Sequence, residues 1–466
     1  MGPAIPTGMD PRALPGVDAV LSSAAARPLL DRWPRPLVAD ALRRELDEAR
    51  RDILAGGEPG PLSGEAIVDR AGRRLARDLA AHPPRVVNAT GTILHTNLGR
   101  APLGARAVAA LARVAAEPSA LEIDLATGER GERDRAIAER LRELAGAEDA
   151  VVVNNAAAAL LLVVDTLGRR REVVVSRGEM IEIGGALRLP DVLERAGAVL
   201  REVGTTNRTR LGDYAAAIGR RTGFVLRAHP SNYRVEGFVE RAPLAALARL
   251  ARERGVPLVE DLGSGALVDL GAFGLPREPT PADSLRDGAD LVVFSCDKLL
   301  GGPQAGIAAG RADLVAELRR NPLRRALRVD KLAVAALAAT LDSWRGARDP
   351  GAEIPTLGFL LRPVAELEAL AREARDLLRA SLPAGFRVEV VESEAEIGSG
   401  AQPGARLPSR AVAVEHPDLD AGRIAALFRS ARPAVLGRVA RDRFLLDVKA
   451  VVRAVDLVPT PAGGPS

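Results

Sequence analysis

The stretch FSCDKLLGGPQAG, residues 294–306, decides how the rest of the chain is read. It holds Lys298, one of three lysines with Lys331 and Lys449, in a chain whose 65 Lys plus Arg are otherwise all arginine. A guanidinium stays protonated and forms no imine, whereas a desolvated lysine can lose its proton and attack a carbonyl. An arginine-biased chain keeps lysine most readily where a primary amine is needed. Lys298 closes the apolar run VVFS and opens a glycine-rich turn. In a parallel α/β sheet, functional groups gather at such strand ends. Lys331 and Lys449 lack these surroundings.

Working outward, strand-like and helix-like segments alternate from about 85 to 320. AVVVNN (150–155), REVVVSRG (171–178), AVLREVG (198–204), GFVLRAH (223–229), VPLVEDLGSG (256–265) and ADLVVFSCDK (289–298) read as strands. AAAALLLVVDTL (156–167), Leu189 to Gly197 and APLAALARLARERG (242–255) read as helices between them. The alternation predicts an α/β domain with a mainly parallel sheet covered on both faces.

The flanks read differently. Residues 1–84 predict a small helical module and linker. Leu42, Leu46, Ala49 and Ile53 recur at helical spacing, GGEPGPLSG (56–64) interrupts, and a second helical pattern runs from Glu65 to about Leu79. The alternative is an N-terminal arm packed on the main body. Residues 350–466 predict a smaller α+β domain, with helical LEALAREARDLLRASL (367–382) before strand-like FRVEVVES, RAVAVEH and RFLLDVKAVV. EIGSGAQPGARLPSR (396–410) reads as a long polar loop, and the final TPAGGPS as disordered. The catalytic core is then 85–349.

Composition narrows the class. Hydrophobic residues are 47% and charged residues 27%, an ordinary balance for a soluble protein. No apolar run is long enough to span a bilayer, and the N-terminus lacks the charge and apolar pattern of a secretory signal. One cysteine, Cys296, excludes an internal disulfide. The cytoplasm is the expected compartment, with neither membrane nor DNA as a partner. The net charge of +4 is compatible with a polyanion, but aromatics are only 3%, so any RNA would be held by shape and phosphate contacts rather than stacking.

Imine-forming lysines usually serve pyridoxal 5'-phosphate, which makes further demands. Its ring nitrogen needs a carboxylate. Asp261 ends a strand upstream of Lys298, with Glu260 on the opposite face and weaker. Its phosphate needs N–H groups at a helix N-terminus without bulk. NNAAAAL (154–160) offers Asn155, Ala156 and Ala157 there, and Ser295 adds a hydroxyl. Its ring hydroxyl needs a donor, and Asn232 in AHPSNYRVEGF is placed for it. Each element is weak alone. Their order along one alternating domain points to a pyridoxal-phosphate enzyme.

VNATGTILHTNLGRAPL (87–103), SRGEMIEIGGALRLPDVL (176–193), VGTTNRTRLGDY (203–214), EDLGSGALVDLG (260–271), FSCDKLLGGPQAGI (294–307) and NPLRRALRVDK (321–331) together resemble bacterial selenocysteine synthases, the L-seryl-tRNA(Sec) selenium transferases. The resemblance is dense from 85 to 345 and looser beyond. It implies an aspartate-aminotransferase-like fold (pyridoxal-phosphate fold type I) and a homodecamer built as a ring of dimers. It implies that Lys298 carries the cofactor as an imine, that Asp261 faces the pyridinium, and that Asp297 is catalytic. Arg100, Arg325 and Arg328 would bind selenophosphate, though a plain basic helix face is the alternative for the arginines at 324–328. The N-terminal module would contact seryl-tRNA(Sec). The implied reaction passes through an aminoacrylyl-tRNA intermediate to selenocysteinyl-tRNA(Sec). Cys296 departs from the glycine common in the family and reads as a packing residue. His95 and His229 lie in the matching motifs. Two other readings share the lysine and aspartate: a lyase or transferase acting on a small amino acid without RNA, and an inactive fold kept for RNA binding or assembly.

Overall fold

The computed structural model describes residues 14–55, 60–79, 82–183, 187–398 and 400–460. Part of the interrupting cluster at 56–64 and most of the C-terminal tail lie outside the described residues. The chain divides into two compact units, residues 1–87 with 427–435 and 459–466, and residues 88–426 with 436–458.

The first unit is mainly helical. Ser63 caps the helix Gly64–Asp78 by accepting from the Ala66 N–H at 3.2 Å. That helix packs against Arg35–Leu54 through Leu42, Leu46, Ile67, Ala71 and Leu75, all buried. The expected spacing is met at Leu42, Leu46 and Ala49, while Ile53 is only half-buried. Glu45 is also buried, and Arg70 and Arg74 donate to it at 3.2 and 2.6 Å.

The second unit is built on a seven-stranded sheet. Its strands are β1 (Asp149–Val153), β2 (Glu172–Ser176), β3 (Val199–Val203), β4 (Thr222–Ala228), β5 (Leu258–Gly263), β6 (Leu291–Ser295) and β7 (Gly306–Gly310). Their spatial order is β1-β7-β6-β5-β4-β2-β3. β7 pairs antiparallel with both β6 and β1, and every other pairing is parallel. Alternate residues feed two separate cores. Val152, Ile307 and Phe294 enter one, and Val151, Ala308 and Val293 the other. Covering both faces explains why these strands read as continuous apolar runs.

The same unit carries a second, four-stranded antiparallel sheet of β8 (Arg387–Gly398), β9 (Ala401–Glu415), β10 (Arg438–Ala440) and β11 (Arg443–Asp447), in the order β8-β9-β11-β10. Here the sequence expectation fails. Within the polar stretch, residues 396–398 and 401–410 are strand, not loop. It closes a long hairpin whose pairing runs from Arg387–Glu415 to Gly398–Ala401. Prolines, glycines and charges hide the period here, because the ribbon is only partly buried: Ile397, Ala401 and Leu407 enter the core, while Gly404, Arg406 and Pro408 are exposed. Among the described residues no helix is long and apolar enough to cross a membrane.

Candidate functional site

Strand register brings the sequence-predicted residues to one edge of the large sheet. Val153 of β1 lies opposite Gly306, Gly306 opposite Ser295, Phe294 opposite Gly263, and Asp261 opposite Ala228. The segments that leave this edge carry Asn155, Asp297 with Lys298, Asp261, and His229 to Asn232. After β1 the chain turns directly into the helix Ala156–Val163. Asn155 caps it, its side-chain oxygen accepting from the Ala158 N–H at 2.9 Å. Ala156 and Ala157 are half-buried at this N-terminus, where the helix presents unbonded N–H groups. Gly306 allows the approach, since a Cβ there would lie 2.1 Å from the Asn155 carbonyl oxygen. Gly265, at φ +73°, does the same on the other side, where a Cβ would lie 1.9 Å from the Ser295 carbonyl oxygen.

Lys298 is 8% exposed. Among the described residues its amine is given no hydrogen bond. Burial lowers its pKa first and the Arg100 guanidinium lowers it further, while Asp261, Asp297 and Glu278 oppose both. Burial in turn pushes the Asp261 carboxyl up to about 6, against the pull of Lys298 and of the Gly263 N–H. A shifted lysine facing shifted carboxylates at a strand edge is the electrostatic mark of a reactive site.

Asp297 is held from two sides. The Ser295 hydroxyl donates to one of its oxygens at 2.6 Å and Arg100 Nη1 to the other at 2.6 Å. Arg100 sits at φ +60°, a left-handed conformation costly for a side chain with a Cβ and common where function fixes the backbone. Ser295, expected to face a phosphate, therefore points its hydroxyl at Asp297. Arg100, expected among the anion-binding arginines, pairs with the same carboxylate. Asn232 follows β4 as expected, is exposed, and donates its amide to the Glu182 carbonyl at 2.7 Å.

Arg325 and Arg328 line a cavity of about 230 Å³ with Arg130, Arg133, Arg319 and Arg324. Several of these are already committed. Arg324 donates to Glu132 and Asp134 at 2.9 and 3.1 Å, Arg319 pairs with Asp149, and Arg133 pairs with Glu122. Arg325 is exposed and has no carboxylate partner among the described residues. Arg328 reaches Glu122 only at 3.8 Å, and its pKa is lowered chiefly by the neighbouring Arg133. Crowded guanidiniums without matching acids favour an anion. The segment is tied to the turn before the helix Ala156–Val163, because the Asn154 N–H donates to the Leu327 carbonyl at 2.9 Å and Arg328 bridges Val153. The arginine-lined cavity thus adjoins the turn before that helix.

Glu278 was not singled out from sequence. It lies 3% exposed, and the charge of Lys298 bears on it. Its sole signal is a carboxylate set between Pro276, Pro279 and Pro281, which carries no periodicity. His229 faces it, with Nε2 3.6 Å from Glu278 Oε1. Burial lowers the His229 pKa to about 4, with Arg241 and Arg227 adding to it, so the ring is neutral near pH 7. Cys296 is fully buried and its thiol is pushed well up by burial, as a packing role requires. Among the described residues no cluster of three or more His, Cys, Asp or Glu could hold a metal ion.

The residues fit pyridoxal phosphate on their own chemistry: a buried unbonded amine, a carboxylate on the neighbouring strand, and a helix N-terminus walled by glycine and alanine. Comparison with known proteins points the same way. A family model described as L-seryl-tRNA selenium transferase matches residues 86–452, and one for the selenocysteine synthase N-terminus matches 11–50. An L-seryl-tRNA(Sec) selenium transferase of Rhizobium meliloti (strain 1021) is 49% identical, over 98% of this chain and 98% of that protein. One from Carboxydothermus hydrogenoformans is 45% identical, over 95% and 94%. Among solved structures, D-glucosaminate-6-phosphate ammonia-lyase shares the fold at TM-score 0.58 and 20% identity, covering 82% of this chain and 96% of that one. With a full-length match at this identity, the chain belongs to the L-seryl-tRNA selenium transferase family.

Proposed function

We propose that the protein converts seryl-tRNA(Sec) to selenocysteinyl-tRNA(Sec), with pyridoxal phosphate bound at Lys298 and selenophosphate as the selenium donor. The observation that carries this reading is the buried, unbonded Lys298 amine set among Asp261, Asp297 and Glu278 in a chain of this family. When bound, the cofactor supplies an electron sink for the Cα carbanion of the seryl group. Lys298 would hold the cofactor, and its amine when free would take the Cα proton of the seryl group. Asp261 keeps the ring nitrogen protonated. The N–H groups of Ala156 and Ala157 behind the Asn155 cap receive the cofactor phosphate, and Asn232 is the donor for the ring hydroxyl. Asp297, oriented by Ser295 and Arg100, stands next to the lysine and steers its proton. Arg325 and Arg328, with Arg100 at the near side, hold the anionic selenium donor by bidentate contacts.

The wider division of labour is part of the proposal. Residues 1–84 grip the tRNA, residues 85–349 carry the chemistry, and residues 350–466 form the smaller α+β domain. The chain works in the cytoplasm as a ring of dimers, ten copies in all. The second family match, over residues 11–50, places the N-terminal segment within the same family. The decisive experiment incubates the purified yellow protein with seryl-tRNA(Sec) and selenophosphate, then identifies the amino acid left on the tRNA. Selenocysteine is the expected product. Serine alone, in protein that carries the cofactor, overturns the assignment and favours a lyase or transferase acting without RNA.

A further inference from the structure

Several buried polar atoms near Lys298 lack partners. Glu278 Oε1, Ser264 Oγ and Gln402 Oε1 are all sealed from solvent without a hydrogen bond among the described residues. Native proteins rarely leave such atoms unpaired away from a functional site. The three belong together. The Ser264 hydroxyl bears on the Glu278 carboxyl, and Gln402 donates its amide to the Pro276 carbonyl two residues before Glu278. Gln402 follows the tip of the β8–β9 hairpin. Gly400, at that tip, comes so close to the lysine that a Cβ would lie 3.3 Å from Lys298 Nζ and 3.4 Å from Ser231 Oγ. On the far side, Thr280 caps the helix Pro281–Arg286 with Asp283 in a reciprocal capping box. Glu278 is thus carried on a strut pinned at both ends and stiffened by Pro276, Pro279 and Pro281.

Resting on the function proposed above, we propose that Glu278 is a positioning residue for the Lys298 amine: with His229 against its carboxyl, it fixes how readily the freed lysine takes and returns a proton. The geometry supports a role beyond packing. A buried carboxyl held for packing would have its oxygens paired, whereas Glu278 Oε1 makes no hydrogen bond among the described residues and has His229 Nε2 at 3.6 Å. The charged groups around the amine are Arg100, Asp261, Asp297 and Glu278, and those bearing on His229 are Arg241 and Arg227. Asp297 is already committed to Ser295 and Arg100. Asp261 is assigned to the cofactor ring. Glu278 is the remaining acid with an oxygen free to answer a change of charge on the lysine. Burial raises the pKa of its carboxyl, and Ser264 and the charge of Lys298 oppose that rise.

The three-lysine composition makes the test direct, because reductive methylation of the full-length chain reads each lysine separately by peptide mass. The pH dependence of Lys298 methylation is measured in wild type, Glu278→Gln and Glu278→Asp, with the cofactor removed, using formaldehyde and a borohydride. An ionised carboxylate favours the protonated amine, so its loss in Glu278→Gln shifts the Lys298 midpoint down by about one pH unit. Glu278→Asp, which keeps the charge, restores most of it. Lys331, at the start of the helix Lys331–Gly346, keeps its midpoint in all three and controls for general unfolding. Coincident Lys298 profiles for wild type and Glu278→Gln overturn the proposal. If Glu278→Gln fails to fold, an unshifted profile in His229→Gln overturns it equally. None of these readouts needs the transfer reaction, so failure here leaves the assigned function standing, and failure of the tRNA assay leaves this test intact.

Discussion

Lys298 and Lys449 sit in nearly equal burial, 8% and 3% exposed, and burial is the first cause lowering the pKa of each. An arginine adds to the effect in both places, Arg100 for one and Arg362 for the other, and aspartate opposes it. What differs is how the donor is used. Lys449 Nζ donates to the Arg362 carbonyl at 3.1 Å, and its backbone N–H donates to Asp447 Oδ1 at 3.0 Å. Asp447 is itself closed by Ser409 and Ser393. Every group there is answered, and the lysine is a tie between the end of β11 and the turn after the helix Pro355–Leu361. The Lys298 amine is surrounded by acids that set its charge and closed by none. Burial alone therefore does not mark a reactive lysine; an unspent donor does.

Substitution separates the two most widely at Lys298. Lys298→Ala should abolish the visible absorbance of the holoprotein and lower selenium transfer by about 10³-fold or more, as expected when the residue that bonds the cofactor is lost. Freshly purified Lys298→Ala that stays yellow would erase the distinction. Lys449→Met gives the opposite pattern. It leaves the Arg362 carbonyl without its donor, while Asp447 keeps Arg438 at 3.4 Å, at a cost of about 1–3 kcal/mol. Urea denaturation should record that loss while absorbance and transfer rate stay at wild-type values. A bleached Lys449→Met protein would mean that both lysines serve the site.

The sequence carried the sheet well because its strands are valine-rich and bounded by glycine. REVVVSRG and ADLVVFSCDK became β2 and β6 with ends displaced by one to three residues. β7 was overlooked, since GIAAG has almost no β-branched residues and is strand only because β6 and β1 flank it on both sides. The hairpin at 396–410 was misread for a related reason, with its register set by a partner strand rather than by local propensity. At the site, residues at strand ends were legible because topology alone places them. Pairings that depend on long-range approach were not. Arg100 meets Asp297 across 197 positions, and Asn232 meets Glu182 across 50. Glu278 was hidden for the same reason: its neighbours arrive from β4, from the loop after β5 and from the turn after β6.

Cys296 offers the finest test of the lysine comparison, because it lies two residues from Lys298 and shares none of its chemistry. Its N–H donates to the Ala305 carbonyl at 2.9 Å and its carbonyl accepts from the Gly302 N–H at 2.8 Å, so the backbone is fixed whatever the side chain. The thiol lies in the core cluster with Leu299, Leu300 and Ala305. Burial first, then the adjacent Asp297, pushes its pKa well up, which keeps it a neutral thiol at working pH. A neutral buried thiol is a poor nucleophile and behaves as a small hydrophobe. Cys296→Ala removes a single heavy atom from a packed core, so a loss of about 1 kcal/mol is expected in urea denaturation. Absorbance, transfer rate and the pH profile of transfer should all match wild type. A tenfold fall in transfer with unchanged stability would instead give the sulfur a part in selenium delivery, and the line between reactive and packing groups would run through residue 296 rather than beside it.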